Sequence, residues 1–312
     1  MKDGLPPVSH PVSHPPADPG LDQIAEQLRL VRLVSQQRRY AGRPTPRLPS
    51  KPEIVALLGD VIGLLYPRHY GPPGLAPDQT DAYVAELLPR IRDRLARQIE
   101  LEFLLPVEVQ PQDCRARAEA AAAASFMRAL LRIRDLHDTD IAAAYAGDPS
   151  AKSLDEIVFC YPGVAAVLRH RVAHELFALG ATMIARIMAE YSHAETGIDI
   201  HPGAAIGPAC FIDHGTGVVI GETAVIGRNV RLYQQVTLGA VRFEADAAGA
   251  LVKGQPRHPI IGDNVVIYAG ATILGRISIG QDAVIGGGVW LTEPVPPGAV
   301  VTQARARQDR LR

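Results

Sequence analysis

The chain has 312 residues, is 47% hydrophobic and carries 32 Lys and Arg against 33 Asp and Glu. This length is enough for one large domain or two smaller ones, and the balanced charge indicates neither a nucleic-acid-binding protein nor one held at a membrane surface. The three cysteines are too few for a disulfide framework or a thiolate metal cage, and no apolar run reaches the ~18 residues of a membrane helix. We therefore expect a cytoplasmic protein with reduced thiols.

The first 197 residues contain a proline-rich segment followed by a region with helical spacing of its aliphatic residues. Residues 1–20 are rich in proline and repeat the sequence Pro-Val-Ser-His-Pro, which predicts a disordered tail. From Leu21 onwards aliphatic residues recur at spacings of three and four on a charged background, which is typical of helices. The predicted helical segments begin at Leu21, at 53–65, at 78–102 (bent at Pro89), at 115–136, near 155–159 and at 164–191. Residues 21–197 should therefore form a domain of about six helices.

From Ile200 the spacing of aliphatic residues becomes six. The positions are Ile200, Ile206, Ile212 and Val218, then, after a slip of two at Gly215-Thr216-Gly217, Ile220, Ile226, Leu232 and Leu238, and finally Ile261, Ile267, Ile273, Ile279, Ile285 and Leu291. A period of six matches neither a helix nor an ordinary strand, but it matches a solenoid in which each hexapeptide forms one side of a triangular coil. A glycine-rich β-sandwich explains fourteen such positions less well. The predicted fold is thus α+β in sequence order, a helical domain followed by a left-handed parallel β-helix over residues 198–303.

The interval from Leu238 to Ile261 is not a multiple of six, which predicts an excursion loop at 240–259. Long loops in compact domains are often functional, and the polar segment 253–259 suggests that this one lies against a site. Residues 304–312 should form a short tail.

Most polar residues of the solenoid are explained by its corners, and only a few are not. The most notable are Asp199, Asp213, His214, Arg257 and His258. A histidine oriented by a carboxylate is the minimal apparatus of a general base. Asp199 and His214 are separated by slightly less than one 18-residue coil, so their side chains are expected to meet, although a purely structural hydrogen bond explains the spacing equally well.

Longer runs of sequence resemble one enzyme family. The segments 196–204, 212–226, 235–239, 257–259 and 293–297, with Gly147-Asp148-Pro149 and Arg171-Val172-Ala173-His174 before them, are closely similar to the serine acetyltransferases of bacteria and plants. The resemblance covers roughly residues 145 to 300, and the Asp-His-Gly-Thr-Gly and Arg-His-Pro elements are specific to this branch of the hexapeptide transferases. Residues before 145 match only in helical character.

The resemblance implies a role for several residues. His214 is implied to be the general base that removes the proton of the serine hydroxyl, with Asp199 as its orienting carboxylate. Asp148 and Asp213 are implied to receive the substrate ammonium, and Arg257 its carboxylate. His258 is implied to line the pocket or to stabilise the oxyanion.

The resemblance also implies partners. Acetyl-CoA is the expected co-substrate, without a metal, bound in a groove between solenoids at Ala240, Ala269 and Gly287. Corner geometry explains these small residues equally well. L-serine is the expected acceptor, acetyl transfer is direct, and the product enters cysteine biosynthesis. A homotrimer or hexamer is expected, whereas docking with cysteine synthase is doubtful because the usual C-terminal tail ending in isoleucine is absent.

Three alternatives stay open at this stage. One is a hexapeptide acetyltransferase with a sugar or antibiotic acceptor, although such enzymes lack the long helical domain and the Arg-His-Pro element. Another is a metalloenzyme of the γ-carbonic-anhydrase type using His201, His214 and His258. The third is a silent scaffold or regulatory subunit, which would have no reason to retain Asp199, Asp213, His214 and Arg257 together.

Overall fold

The structure, a computed structural model, describes residues 20–40, 44–105, 111–241, 249, 251–252 and 254–303. Residues 1–19 of the predicted tail, residues 242–248, 250 and 253 of the predicted loop, and the predicted tail 304–312 lie outside the described residues. The chain divides into two compact units, residues 1–47 and 48–312. Among the described helices none is both long and apolar enough to span a bilayer.

The first unit contains the helix α1 (Leu21–Tyr40), which the three- and four-residue spacing predicts. Glu26 and Arg29 form an ion pair of 2.7 Å along its surface. The predicted boundary near residue 197 coincides with a change of secondary structure, whereas the division into compact units falls at residue 47.

The second unit begins with helices. They are α2 (Lys51–Leu65), α3 (Pro67–Tyr70), a 3₁₀ turn (Pro77–Gln79), α4 (Thr80–Phe103), α5 (Pro111–Glu119), a π-helical segment (Ala120–Phe126), α6 (Met127–Gly147), α7 (Leu154–Cys160), α8 (Pro162–Ala178) and α9 (Thr182–Thr196). The segment predicted at 115–136 lies inside one long helical run, and α4 continues through Pro89. The segment predicted at 164–191 is two helices, because Gly180 adopts a left-handed conformation between them (φ +88°).

The strands that follow are short and lie in three parallel sheets. They are β1 (Asp199–Ile200), β2 (Ala205–Ile206), β3 (Phe211–Ile212), β4 (Val219–Ile220), β5 (Val225–Ile226), β6 (Arg231–Leu232), β7 (Thr237–Gly239), β8 (Ile260–Ile261), β9 (Val266–Ile267), β10 (Thr272–Leu274), β11 (Ser278–Ile279), β12 (Val284–Ile285), β13 (Trp290–Leu291) and β14 (Val300–Val301). The sheet orders are β1-β4-β7-β10-β13, β2-β5-β8-β11 and β3-β6-β9-β12-β14. From β1 to β13 every third strand therefore stacks on the same side, which is the triangular coil that the period of six predicts, and β14 stacks on β12 because the side between them is reduced to the single bridge of Val295 with Ile279.

The periodic aliphatic residues form the core of this coil. Ile200, Ile220, Leu238, Ile273 and Leu291 lie in register on one side of the triangle. Of the fourteen predicted inward positions, twelve are buried and the other two, Ile206 and Leu291, are partly buried. The predicted fold class, a helical region followed by a left-handed parallel β-helix, is confirmed.

The helices of the second unit pack directly on the first coil. Arg171 of α8 forms a buried bidentate ion pair with Asp140 of α6 (2.7 and 2.8 Å), and its guanidinium also donates to the carbonyls of Ile206 and Gly207. Gly163, at the start of α8, lies so close to β3 that a Cβ there would stand 1.9 Å from the Ile212 carbonyl oxygen. The glycine therefore permits this approach, which brings the start of α8 against the turn that carries Asp213 and His214.

Candidate active site

Asp213 and His214 lie in an enlarged corner of the coil. The corners that follow β6 and β9 run over four residues, 233–236 and 268–271, whereas the one that follows β3 runs over six, 213–218. Backbone hydrogen bonds align Thr216 with Gln234, since Gln235 N–H donates to Thr216 O (2.9 Å) and Gly270 N–H donates to Gln234 O (3.0 Å). The two additional residues are therefore His214 and Gly215. We call this stacked set of corners, 213–218, 233–236, 268–271 and 286–289, the His214 edge.

The insertion determines how the imidazole is presented. His214 has a left-handed backbone (φ +59°), as do Gly215 (φ +83°) and Gly217 (φ +77°). Such conformations are uncommon for a residue with a side chain and occur often at functional sites. The His214 side chain is 70% exposed, and its Nδ1 lies 3.8 Å from Asp213 Oδ1. The coil thus projects this imidazole outward beside a carboxylate.

Asp148, which follows α6, lies near the same imidazole. Its Oδ2 accepts from the Tyr161 hydroxyl (2.5 Å), and its Oδ1 accepts from the Ser150 backbone N–H (2.8 Å). The pKa of Asp148 is lowered by the Tyr161 hydrogen bond, by Ser150 and by the nearby His214. The carboxylate that Tyr161 binds in turn raises the pKa of that tyrosine to about 12. Asp148 is therefore held as an anion.

Sequence reasoning missed Tyr161. The only local signal was its position before Pro162, at the start of α8, and that signal does not predict a contact with Asp148.

Asp199 begins β1, where its backbone N–H donates to Val218 O (2.9 Å). Within the described residues no hydrogen bond joins its carboxylate to His214, and the carboxylate that lies beside the imidazole belongs to Asp213. The orienting role of Asp199 stays a prediction.

Arg257 and His258 form a second group with Glu222 and Thr223. Thr223 Oγ1 accepts from the backbone N–H groups of Arg257 (2.9 Å) and His258 (3.1 Å), which ties the end of the excursion loop to the corner between β4 and β5. Arg276 Nη1 donates to the carbonyls of Thr223 (2.6 Å) and His258 (3.0 Å). Arg276 therefore links this corner to the end of the excursion loop. We call the corners 201–204 and 221–224 with the loop end 254–259 the Arg257 edge.

The Arg257 guanidinium is partly paired. Its Nη2 donates to Glu222 Oε2 (2.6 Å), while its buried Nε has no hydrogen-bond partner among the described residues. A buried N–H donor without an acceptor is unfavourable by roughly 1–3 kcal/mol, so this atom is suited to an incoming carboxylate oxygen. Glu222 and Thr223 were not assigned these contacts from the sequence, because their partners lie 34 or 35 residues further along the chain.

The His258 ring is held as one neutral tautomer. Its Nδ1 accepts from the backbone N–H of Thr223 (3.1 Å) and lies 2.9 Å from Thr223 Oγ1, so the ring proton is on Nε2. The residue is buried, and burial, reinforced by the Arg257 charge, lowers the pKa of His258 to about 4. At neutral pH the ring therefore offers an uncharged N–H donor.

We expect NMR titration to show no protonation of His258 above about pH 5, far below an ordinary histidine. Because its folded pKa is lowered from 6.5, its contribution to stability is complete above pH 6.5 and is lost as the pH falls towards about 4. His258→Gln should weaken this part of the pH dependence of urea unfolding. Protonation near pH 6.5 in the folded wild type would contradict the assignment.

The two groups occupy different edges of one chain. Asp213 and His214 lie on the His214 edge, and Arg257 and His258 lie on the Arg257 edge, with the strand β4 between them. One side of the triangle holds about six residues, which at about 3.3 Å per residue is roughly 20 Å. The residues predicted to contact acetyl-CoA divide in the same way, since Ala269 and Gly287 lie on the His214 edge and Ala240 follows β7 at the start of the loop. A single chain therefore does not bring the two groups together.

The described residues contain no cluster of metal ligands of the kind that a metalloenzyme of the γ-carbonic-anhydrase type would need. In the described part of the chain no group of three or more His, Cys, Asp or Glu residues is arranged to hold a metal ion. His201 Nδ1 instead accepts from Gly203 N–H (3.0 Å), and its ring packs edge-on against Phe177. These contacts belong to the turn after β1.

Comparisons with known proteins identify the family of the chain. Residues 258–293 match the family model of the bacterial transferase hexapeptide (six repeats). The plasmid serine acetyltransferase of Synechococcus elongatus is 51% identical over 267 residues, 84% of each chain. Serine acetyltransferase isoform 3 of Entamoeba histolytica, solved in complex with cysteine, superposes with a TM-score of 0.70 and 36% identity over 86% of each chain. The Neisseria gonorrhoeae serine acetyltransferase, in complex with serine, superposes with a TM-score of 0.52 and 27% identity over 81% of this chain and 95% of that one.

These similarities extend well beyond the hexapeptide repeats, because the Synechococcus elongatus relative also matches most of the helical region. The family and the enzyme class predicted from the motifs are confirmed. The chain belongs to the serine acetyltransferase family of acyltransferases.

Proposed function

We propose that this chain transfers the acetyl group of acetyl-CoA to the hydroxyl of L-serine, with His214 as the general base, and so forms the O-acetyl-L-serine used in cysteine biosynthesis. The observation that carries the proposal is the two-residue insertion that projects His214 from the coil beside Asp213 and Asp148. The serine and cysteine complexes of the relatives support an amino acid as the ligand.

Each end of serine has a matching group. The carboxylates of Asp148 and Asp213 suit the substrate ammonium, and the incompletely paired guanidinium of Arg257 suits its carboxylate. We expect the hydroxyl of a serine bound in this way to lie near His214. A site that recognises both charged ends favours a free amino acid over a sugar.

The chemistry then requires one proton transfer in each direction. His214 accepts the hydroxyl proton as the serine oxygen attacks the thioester carbonyl, and the C–O bond forms. The Nε2–H of His258 is suited to stabilise the oxyanion of the tetrahedral intermediate. As the C–S bond breaks, the imidazolium returns the proton to the CoA sulfur. Backbone at Ala240, Ala269 and Gly287 lines the proposed acetyl-CoA groove.

Because the two edges are separated in one chain, the proposed site forms between copies, with the His214 edge of one chain facing the Arg257 edge of the next in a homotrimer. Refolding equal amounts of His214→Ala and Arg257→Ala chains together should restore activity, since one interface in three of every mixed trimer, and about a quarter of all interfaces, combines two intact edges. The measurement is turnover at a serine concentration well below the KM of Arg257→Ala, where each variant alone is impaired, after the two preparations are unfolded and refolded together. Activity no higher than that of the separate variants would contradict a shared site.

Arg257→Ala is expected to raise the KM for serine by about 10- to 100-fold, because a charge-assisted hydrogen bond of about 1.5–3 kcal/mol is lost. The KM for acetyl-CoA should change little. Steady-state kinetics with each substrate varied in turn checks this result. The matched control is Arg228→Ala, an exposed arginine on another corner of the coil. An equal rise in both KM values would contradict the proposed contact.

The direct test of the function is acetyl-CoA consumption with serine, homoserine, a galactoside and no acceptor. We expect rapid CoA release with serine, slower release with homoserine and only background release in the other two reactions. Preference for the galactoside would replace serine by a sugar acceptor. Background release with every acceptor would indicate a silent subunit.

A further inference from the structure

A second concave site lies among the helices, separate from both edges of the coil. It is a cavity of about 210 Å³ between α2, α8 and α9. Most of its wall is aliphatic, from Val55, Leu58, Ile62 and Leu168, and Tyr70, Tyr191 and Arg169 supply its polar groups. No residue assigned above to acetyl transfer lines it.

Arg169 is the cationic residue of this lining. The guanidinium lies over the Tyr191 ring at 5.5 Å, and its buried Nη1 has no hydrogen-bond partner in the part of the chain that the structure describes. Among the described residues it forms no ion pair, and no acidic residue lines the cavity. Arg169 as a whole is half-buried, and its one buried donor lacks an acceptor, which is unfavourable. The cavity therefore has a place for an anion.

Gly59 lines the cavity at an exposed position of α2. It lies in the middle of α2, where glycine is less favourable than alanine by about 1 kcal/mol. Packing does not require it, because a Cβ at this position would meet nothing within 4 Å. By contrast, a Cβ at Gly63 of the same helix would lie 3.0 Å from the Tyr83 hydroxyl and 3.1 Å from the Tyr70 carbonyl oxygen. The absent side chain at position 59 thus adds to the open volume.

We propose that this cavity binds a small monocarboxylate with a short apolar tail. The carboxylate pairs with Arg169, and the tail packs against Leu58, Ile62 and Leu168. The volume is about that of seven water molecules, which suits a tail of about three to six carbons. An amino acid such as serine is a poor fit, because its ammonium would find no acidic partner in the lining. The site is thus independent of the proposed acetyl transfer.

The test is calorimetric titration of the full chain with butyrate, hexanoate and benzoate, each beside its neutral amide, with sodium chloride as the anion control. We expect at least one carboxylate to bind about 10- to 100-fold more tightly than its amide, since the charge-assisted contact with Arg169 is lost in the amide. Arg169→Met should remove this preference, whereas Arg128→Met, at an exposed arginine of α6, should retain it.

Gly59→Leu tests the cavity without changing the charge. The leucine side chain should occupy the open volume and abolish binding, while Gly59→Ala should leave binding measurable. Equal affinities for carboxylate and amide, an effect that chloride reproduces, or undiminished binding in Gly59→Leu would each overturn the proposal. Serine acetylation is measured separately, so failure here leaves the proposed function unaffected, and the reverse also holds.

Discussion

Replacing His214 with alanine is expected to lower kcat about 10²–10⁴-fold, the usual contribution of a general base. The serine hydroxyl is a poor nucleophile unless its proton leaves during the attack, and no other described imidazole lies on the His214 edge. The side chain is 70% exposed, so its removal should leave the melting temperature almost unchanged. Steady-state kinetics and a thermal melt of the same preparation check both parts.

The matched control is His193→Ala, which removes an exposed histidine of α9 (45% exposed side chain). Its kcat should equal that of the wild type. The pH profile adds a further readout, because the acidic limb that reports the base in the wild type should disappear in the residual activity of His214→Ala. A fall in kcat below about tenfold, with this limb retained, would assign the base to another group.

The sequence predicts the coil well because the same aliphatic residues produce both the period of six in the sequence and the packed interior of the coil. An aliphatic residue at every sixth position must point inward if each coil stacks on the last, and the observed register joins such residues, for example Ile226 with Ile261. That pair also spans the excursion loop, which explains why the loop interrupts the period without ending the coil.

The enlarged corner is less predictable. The slip of two in the period shows that two residues are added near Gly215-Thr216-Gly217, but the period alone assigns them no position. Only the hydrogen bonds that align Thr216 with Gln234 identify His214 and Gly215 as the additional residues. His214, which the sequence motif predicts to be the general base, is therefore one of the two residues that the coil does not require for its stacking.

Other features depend on contacts that local patterns do not encode. Gly180 is a residue type that often ends a helix. Because the helical spacing of apolar residues continues on both sides of it, the sequence pattern predicts one helix where the structure has α8 and α9. The pairing of Arg257 with Glu222 and that of Asp148 with Tyr161 arise from the tertiary fold. Sequence reasoning thus names the charged residues of the site but does not predict their hydrogen-bond partners.

Arg171→Met is expected to lower the free energy of unfolding by about 3–5 kcal/mol, because it leaves a buried carboxylate without its counter-ion. The side chains of Arg171 and Asp140 are 4% and 0% exposed. After the substitution Asp140 would retain only the backbone N–H of Cys210 (2.9 Å), and the carbonyls of Ile206 and Gly207 would lose a donor. Urea unfolding followed by circular dichroism measures the change.

Arg186→Met is the matched control, since Arg186 pairs with Glu190 on the surface of α9 (40% and 51% exposed side chains). An exposed pair of this kind contributes about 0–1 kcal/mol, so the two variants should differ several-fold in their effect. Replacing both Asp140 and Arg171 by apolar residues removes the unpaired charge and should restore part of the loss. If Arg171→Met were no more destabilising than Arg186→Met, the apolar contacts of α8 with the first coil would hold the helices in place without the ion pair. The position of α8 against the Asp213–His214 corner would then depend on these apolar contacts and on the close approach at Gly163.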